Sequence, residues 1–322
     1  MREAGSLVGV HANQRKSAYI GGTSFTGSTF LSFLLNAQPN VTSVGEVAWS
    51  IPKTNPGSYP CSCSATLDTC PFWLRVGQEM EKRGYLFNAD HWSMSFEIAP
   101  NKLARQIALR SLGSNFADRI RDNLIRALPG WGRDLTEIGN RNKALIDAIA
   151  TITGASVFVD ASKDHTRLRL LREYCDPDLY IIHLVRDSPA FVHSCITKRK
   201  HPVPFHNAIR WWNSMAWNME RLRLATAPQR WLLVRHEDIC ADPGGEVERI
   251  LRFLGAWSPP AILGFRSASH HIIGNLMRLE SSSQVRLNTS WRTGLAKAQL
   301  DEILRRTGYY RQRLGYSDGD GT

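Results

Sequence analysis

Short apolar segments alternate with segments of helical periodicity along most of the chain. The run from Leu179 to Val185 is continuous, as in a strand that is buried on both faces. After the first such run, Leu31, Leu34 and Leu35 fall on one face of a helix. The predicted strands are 17–22, 156–160, 179–185 and 231–234, and the predicted helices are 27–36, 165–174, 188–199, 206–226 and 246–254. This alternation predicts an α/β fold in which helices flank a parallel β-sheet.

The middle of the chain departs from this alternation. Residues 50–74 are rich in Pro, Ser and Cys and predict a loop. Residues 75–155 show helical periodicity, for example from Ala144 to Ile152. The length alone would suggest about two domains, but single α/β domains commonly reach this size. We therefore expect a single domain over residues 1–322 with a helical insertion at about 75–155.

The composition is that of a globular protein with a basic surface. Of the 322 residues, 43% are hydrophobic and 21% are charged, and the formal net charge is +11. A positive balance attracts anions such as nucleic acids, membrane surfaces or phosphate-bearing ligands. The basic residues are scattered, and the densest cluster, Lys198 to His201, is short. We therefore expect no nucleic-acid partner, and binding of DNA or RNA is an alternative that rests on charge alone.

The sequence has neither the pattern of a membrane span nor that of a secretory signal. A spanning helix needs about 18 consecutive apolar residues, and no such run occurs. The first 16 residues also lack the apolar core of a signal peptide. We expect a cytoplasmic location, where cysteines are usually free thiols.

Three of the six cysteines are clustered. Cys61, Cys63 and Cys70 form a C-x-C-x6-C pattern in the predicted loop. A zinc site with a fourth ligand and a disulfide are both alternatives here, but the spacing matches no common zinc pattern. The sequence therefore predicts free thiols and no metal site.

A glycine-containing segment joins the first predicted strand to the first predicted helix. Gly22 to Thr29 reads G-T-S-F-T-G-S-T. The N–H groups of such a turn, the positive end of the helix dipole and the hydroxyls of Thr26, Ser28 and Thr29 suit a phosphate-like anion. Ser28 stands where nucleotide hydrolases have the lysine that reaches the β- and γ-phosphates. ATP or GTP chemistry is therefore disfavoured, and a small-molecule kinase of P-loop fold is kept as an alternative.

A second candidate anion site follows the strand predicted at 179–185. Arg186 stands at the carboxyl end of this strand, where ligands of parallel sheets bind. Ser194 follows on the next predicted helix, and Lys198 lies one turn further on the same face. A guanidinium, a hydroxyl and an ammonium suit a second phosphate group. The alternative is that Arg186 pairs with Asp187 or another carboxylate.

Seven segments of the chain form an ordered set of motifs. They are GTSFTGSTFLSFLL (22–35), NAQPNVTSVGE (36–46), CSCSATLDTCPFW (61–73), FVDASK (158–163), IIHLVRDSPAFVHS (181–194), RHEDI (235–239) and, between 270 and 295, HHIIGNLMR with SWRTGL. Together they resemble the family of sulfotransferases that use 3′-phosphoadenosine-5′-phosphosulfate (PAPS). The match covers nearly the whole chain and is weakest in residues 75–155.

The resemblance implies a P-loop-like sulfotransferase fold and a metal-free in-line transfer. The sulfuryl group would pass from PAPS, the co-substrate, to an acceptor hydroxyl or amine. The motifs resemble those of bacterial members and, in part, of tyrosyl-protein sulfotransferases. Glu46 matches the catalytic carboxylate of the tyrosyl-protein relatives, and Lys163 matches the lysine that stabilises the departing charge. The residues matching the 5′-phosphosulfate loop are Thr26, Gly27, Ser28 and Thr29, and those matching the 3′-phosphate site are Arg186 and Ser194, with Lys198 beside them.

Two positions depart from the family pattern. Many members have Arg or Lys where Phe25 stands, and Tyr is common where His236 stands. The missing cation keeps open a further alternative, a protein that binds PAPS or its product with little activity. The acceptor is not readable from the sequence, and a small molecule, a lipid and a carbohydrate are all compatible with it. The oligomeric state is not readable either.

Overall fold

The computed structural model of the chain describes residues 15–48, 54–96, 114–128, 130–197, 202–262, 264–266, 270–279 and 285–317. Within these ranges, five strands form one sheet in which every pair of neighbours is parallel. The strands are β1 (Lys16–Gly21), β2 (Val41–Ser43), β3 (Val157–Lys163), β4 (Tyr180–Val185) and β5 (Trp231–Arg235), and their order in the sheet is β2-β3-β1-β4-β5. The predicted parallel sheet is confirmed. The three-residue strand β2 is an addition that the sequence pattern did not indicate.

Helices cover the sheet. They are α1 (Ser28–Asn36), α2 (Pro71–Glu81), α3 (Asn115–Ala127), α4 (Trp131–Thr153), α5 (His165–Tyr174), α6 (Ser188–Thr197), α7 (Phe205–Leu224), α8 (His236–Ala241), α9 (Pro243–Leu254), α10 (Trp291–Gly294) and α11 (Lys297–Arg313). Helices α3 and α4 lie in the region where the sequence predicts a helical insertion, and α2 begins four residues earlier, at the end of the predicted loop. That this region is an insertion in a single domain stays a prediction. None of the helices in the described ranges has both the length and the apolar character needed to cross a membrane.

The apolar strands are explained by packing on both faces of the sheet. Ala18 and Ile20 of β1 point to one face, where they pack with α1 and α9, and Tyr19 points to the other face, where it packs with α5 and α7. Successive side chains of a strand alternate between faces, so a strand covered on both sides is apolar at every position. The polar residues that follow each strand are thereby left at the edge of the sheet.

A buried polar network joins the helical region to the sheet. Arg167 on α5 donates from Nε to Asp160 Oδ2 on β3 at 3.0 Å and from one terminal nitrogen to Asn142 Oδ1 on α4 at 2.7 Å. Its other terminal nitrogen donates to the carbonyl oxygen of Met94 at 2.7 Å. Asp160 and Arg167 are each only 4% exposed. The pair therefore fixes α4, α5 and the Met94 segment against β3.

Replacing Arg167 by Met should be strongly destabilising. The carboxylate of Asp160 would stay buried without its cation, a change that typically costs about 3–5 kcal/mol. Urea unfolding of both proteins measures the difference in the free energy of unfolding.

The matched control is Lys297→Met, which removes an exposed ion pair with Asp301. Exposed pairs contribute about 0–1 kcal/mol, so this variant should unfold nearly as the parent chain does. Equal effects of the two substitutions would show that the buried network does not hold the fold together.

Candidate active site

The carboxyl edge of the sheet collects the candidate residues in a fixed order. Following the sheet from β2 to β5, they are Glu46 after β2, Lys163 at the end of β3, the loop 22–27 after β1, Arg186 after β4 and His236 after β5. Adjacent strands are about 4.8 Å apart, so neighbouring groups in this order are within reach of one ligand. The anion loop thus lies in the middle, with an acid–lysine pair on one side and a buried arginine on the other.

The loop has the backbone geometry of an anion site. Phe25 and Gly27 both adopt left-handed conformations, with φ of 64° and 88°. The Thr26 hydroxyl donates to the carbonyl oxygen of Thr23 at 2.8 Å and closes the turn. Gly27 caps α1 without a side-chain hydrogen bond, so the first N–H groups of the helix are left for a ligand. Ser28 and Thr29, the first two residues of α1, are buried beside it.

Two glycines of the loop are required by close neighbours. A Cβ atom on Gly22 would lie 2.4 Å from the carbonyl oxygen of Leu184, and a Cβ atom on Gly27 would lie 2.4 Å from Nδ1 of His236. No side chain fits at either position without moving β4 or α8. The loop is therefore packed closely against the two neighbouring elements.

Arg186 connects the loop to the second candidate anion site. It is 6% exposed, and one terminal nitrogen donates to the carbonyl oxygen of Phe25 at 3.0 Å and to Ser194 Oγ at 3.4 Å. The other terminal nitrogen donates to the carbonyl oxygen of Asn288 at 3.3 Å. The sequence spacing therefore correctly placed Arg186 beside Ser194. Lys198, the third predicted member, lies outside the described residues.

Arg186 forms no ion pair within 4 Å among the described residues, although the Glu237 carboxylate lies close enough to act on its charge. An ion pair between Arg186 and Asp187 was the alternative considered from the sequence. Asp187 instead forms a buried ion pair with Arg311 at 2.8 Å. Burial lowers the pKa of the Arg186 guanidinium because the charged form has lost its water. A buried cation whose partners are carbonyls and a hydroxyl is suited to an anionic ligand.

Glu46 and Lys163, for which separate roles were predicted from the sequence, form one ion pair. Lys163 Nζ lies 2.5 Å from Glu46 Oε1, and both side chains are largely buried. Lys163 has a left-handed backbone with φ of 68°, and its carbonyl oxygen accepts a hydrogen bond from Gly22 N at 3.2 Å. The ion pair is thus fixed to the start of the anion loop.

Glu46 is positioned by a distant segment of the chain. Its N–H donates to the carbonyl oxygen of Ile273 at 3.2 Å. Gly274 has φ of 111°, and a Cβ atom there would lie 2.7 Å from Cγ of Glu46. Sequence reasoning missed Gly274 as a site residue, and the only signal that pointed to it was the motif HHIIGNLMR.

Four buried polar atoms along this edge have no hydrogen-bond partner among the described residues. They are Thr23 Oγ1, Glu46 Oε1, Arg186 Nε and His236 Nδ1, and Glu46 Oε1 has only its ion-pair contact with Lys163 Nζ. Buried polar atoms are normally satisfied, so such a cluster marks a place where a ligand or water supplies the missing partner. Together with the glycines of the loop, the atoms of Thr23, Arg186 and His236 fit a ligand that carries oxygen-rich anionic groups.

Comparisons with known proteins agree with this fold. A model of the sulfotransferase family matches residues 18–259, about three quarters of the chain. The sulfotransferase domain of the olefin synthase from Synechococcus PCC 7002 superposes with a TM-score of 0.54 at 18% identity, covering 96% of this chain and 97% of that one. The sulfotransferase domain from the curacin biosynthetic pathway superposes with a TM-score of 0.52 at 14% identity, covering 94% and 98%. At these identities the superpositions show the fold. No curated protein matches the chain in sequence.

Acidification should destabilise the protein partly through His236. Burial, and secondarily the charge of Arg186, lowers the pKa of His236 to about 3. The unfolded chain takes up this proton near the ordinary histidine pKa of about 6.5, so the stability is present above that value and is lost as the pH falls toward 3. Between about pH 7 and pH 5 we expect His236 to account for roughly 1–2 kcal/mol of lost unfolding free energy.

The measurement compares urea unfolding of the parent chain and of His236→Gln at both pH values. Glutamine does not titrate, so the variant should lose less stability on acidification, while all other groups contribute equally to both proteins. Identical pH dependence in the two proteins would contradict a buried neutral His236.

Proposed function

This chain belongs to the sulfotransferase family, and on that premise we propose that it transfers the sulfuryl group of PAPS to an acceptor hydroxyl or amine. The observation that carries the proposal is the order of groups along the sheet edge. An anion loop lies between the Glu46–Lys163 pair and the buried Arg186. A donor with a phosphate at each end of its ribose fits two anion sites on neighbouring strands.

The 5′-phosphosulfate would be held by the loop. The N–H groups at the start of α1 and the hydroxyls of Thr26, Ser28 and Thr29 supply donors, and Gly27 lets the backbone approach closely. Because Ser28 takes the place of the P-loop lysine, the loop has no cation that reaches toward a γ-phosphate. This favours the phosphosulfate over ATP or GTP.

The 3′-phosphate would be held by Arg186 and Ser194. These two groups lie within hydrogen-bond distance of each other, and Arg186 Nε lacks a partner among the described residues. A phosphate would supply that partner and would compensate the buried charge. Lys198, outside the described residues, is proposed to add a second cation.

In the transfer itself, the chain's residues would act on a proton and on a developing charge. Glu46 would take the proton of the acceptor as the new bond to sulfur forms. As the bond between sulfur and the bridging oxygen breaks, Lys163 would stabilise the negative charge left on that oxygen. Lys163 stands between Glu46 and the loop in the strand order, which suits it to contact either one. Separation of the 2.5 Å ion pair would then free the carboxylate for the acceptor.

Because Phe25 stands where many family members have a cation, Lys163 would have to supply the positive charge that is missing from the loop. The Phe25 side chain packs against the apolar cluster that includes Val185, Phe191 and Trp212, while its carbonyl oxygen accepts from Arg186. Phe25 therefore contributes packing and the backbone geometry of the loop, and it supplies no positive charge to a ligand. We propose that Lys163 performs the role that a loop cation has in many family members.

Binding of 3′-phosphoadenosine-5′-phosphate (PAP) tests the donor site. Calorimetric titration should show that PAP binds more tightly than 5′-AMP or ATP, because only PAP has a 3′-phosphate for Arg186. The substitution Arg186→Ala should weaken PAP binding by roughly 10–150-fold, the range expected for lost charge-assisted hydrogen bonds, and should leave 5′-AMP binding nearly unchanged. Arg252→Ala, on the outer face of α9, is the matched control and should behave as the parent chain does.

Preference for ATP, or no binding of PAP, would overturn the PAPS proposal. The first outcome would favour the small-molecule kinase alternative.

Transfer from radiolabelled PAPS to a panel of phenols, aliphatic alcohols, sugars and amines tests the catalytic roles. With any acceptor that the parent chain sulfates, Glu46→Gln should lower the rate by about 10²–10⁴-fold, the usual contribution of a general base, while PAP affinity is retained. Gly274→Ala should act in the same direction, because the added methyl group displaces the Glu46 side chain.

Full activity of Glu46→Gln would exclude the carboxylate as base. If the parent chain binds PAP and sulfates none of the panel, the result favours a nucleotide-binding protein of little activity.

A further inference from the structure

The folded chain brings a fourth donor to the three clustered cysteines. Sγ of Cys61, Cys63 and Cys70 and Nδ1 of His271 all lie within 4.8 Å of one another. The cysteines come from the loop that precedes α2, and His271 comes from a segment 201 residues beyond Cys70. This long separation is the reason that the spacing of the cysteines alone matched no zinc pattern.

Four of the six distances between the donor atoms are within about 0.4 Å of those in a tetrahedral zinc site, and all six are within 4.8 Å. With Zn–S of about 2.3 Å and Zn–N of about 2.0–2.1 Å, tetrahedral geometry places sulfur atoms about 3.8 Å apart and sulfur about 3.6 Å from nitrogen. The Sγ atoms of Cys63 and Cys70 are 3.6 Å apart, and those of Cys61 and Cys70 are 4.0 Å apart. His271 Nδ1 lies 3.3 Å from Cys70 Sγ and 3.9 Å from Cys61 Sγ. A disulfide needs about 2.05 Å between sulfur atoms, so these pairs are not bonded.

We propose that Cys61, Cys63, Cys70 and His271 bind one zinc ion. Three thiolates and an imidazole are soft to intermediate ligands, which select zinc over magnesium or calcium. Four protein ligands fill the tetrahedron and leave no position for water or substrate, so the ion is structural and takes no part in sulfuryl transfer. The proposal stands on the cluster alone and does not depend on the activity of the chain.

Contacts around the cluster keep the donors in place. The ring of His271 stacks on Phe72 with centroids 4.4 Å apart and parallel planes, which fixes the direction of Nδ1. Between the ligands, Ser62 Oγ accepts from Ile272 N at 2.8 Å, and Ser62 N donates to the carbonyl oxygen of Ile272 at 3.2 Å. The two ligand segments are thereby paired directly beside the proposed ion.

A buried arginine joins the same two segments. Arg278, only 2% exposed, donates to the carbonyl oxygens of Pro60 and Gly274. Pro60 directly precedes the ligand Cys61, and Gly274 contacts Glu46. The guanidinium thus ties the cysteine loop to the segment that follows His271.

The position of the cluster gives the ion a consequence for the candidate active site. Two residues after the ligand His271, the carbonyl oxygen of Ile273 accepts from the N–H of Glu46. The next residue is Gly274, which leaves room for the Glu46 side chain. An ion at His271 therefore anchors the segment that positions Glu46, and we assign the cluster a positioning role.

The first test measures metal in the full chain, purified without a histidine tag and desalted after exposure to a weak chelator. We expect about one zinc per chain by mass spectrometry of the elements. After replacement of zinc by cobalt, the absorption spectrum should show thiolate-to-cobalt charge transfer and the intense visible bands of tetrahedral cobalt. A parent chain that contains no zinc and, when reduced, takes up neither zinc nor cobalt would overturn the proposal, and so would iron in place of zinc.

The second test uses ligand variants. Cys63→Ser changes the exposed ligand and is the mildest substitution, and His271→Gln removes the imidazole. Cys175→Ser, which alters a cysteine outside the cluster, is the control. Both ligand variants should lose zinc to a competing chelator at least about tenfold more readily than the parent chain, while the control retains it. Zinc held by either ligand variant as tightly as by the parent chain would exclude that residue from the site and contradict the four-ligand assignment.

Discussion

The parallel direction of the five strands is the constraint on which the candidate site depends. Because all strands run the same way, the residue that follows each strand is delivered to one edge of the sheet. Residues from four separate parts of the chain, Glu46, Lys163, the loop at 22–27 and Arg186, thereby become neighbours along a line. Reversal of any one strand would send its residue to the opposite edge. The apolar packing on both faces of the sheet is what maintains this direction, and in this way the core determines the chemistry at the edge.

Concentrating charge at that edge has an electrostatic cost before any ligand binds. The hydrogen-bond partners of the buried Arg186 are uncharged, and burial lowers the pKa of its guanidinium more than the Glu237 carboxylate raises it. In the neighbouring Asp187–Arg311 pair, by contrast, each buried charge is compensated by an opposite charge of the protein itself. Arg186 has therefore already lost its hydration water, and an incoming anion does not have to displace that water. An oxygen-rich anion should therefore bind more favourably to the buried Arg186 than to an exposed arginine.

What the sequence predicted well is local. The strands and helices follow from periodicity, and Arg186 meets Ser194 because the strand end and the first turns of α6 are adjacent in the chain. The three residues of β2 are too few to show a period, so that strand was missed. The contacts of Glu46 with Gly274 and of Cys70 with His271 join parts of the chain about two hundred residues apart. No pattern within either segment indicates its partner, and these contacts became visible only once the chain was folded.

The difference between local and long-range contacts also explains which part of the candidate site a metal ion would stabilise most. The loop and Arg186 are held by elements of the sheet and its helices, whereas Glu46 follows the short strand β2 and is held by the segment around Ile273, which has no regular secondary structure. Ordering such a segment costs conformational entropy that few backbone hydrogen bonds offset. A cross-link that joins His271 to the cysteine loop closes a very long loop in the unfolded chain and lowers this cost. The least regular part of the site is therefore the part that a structural ion would stabilise, and Glu46 is the group whose position would depend on it.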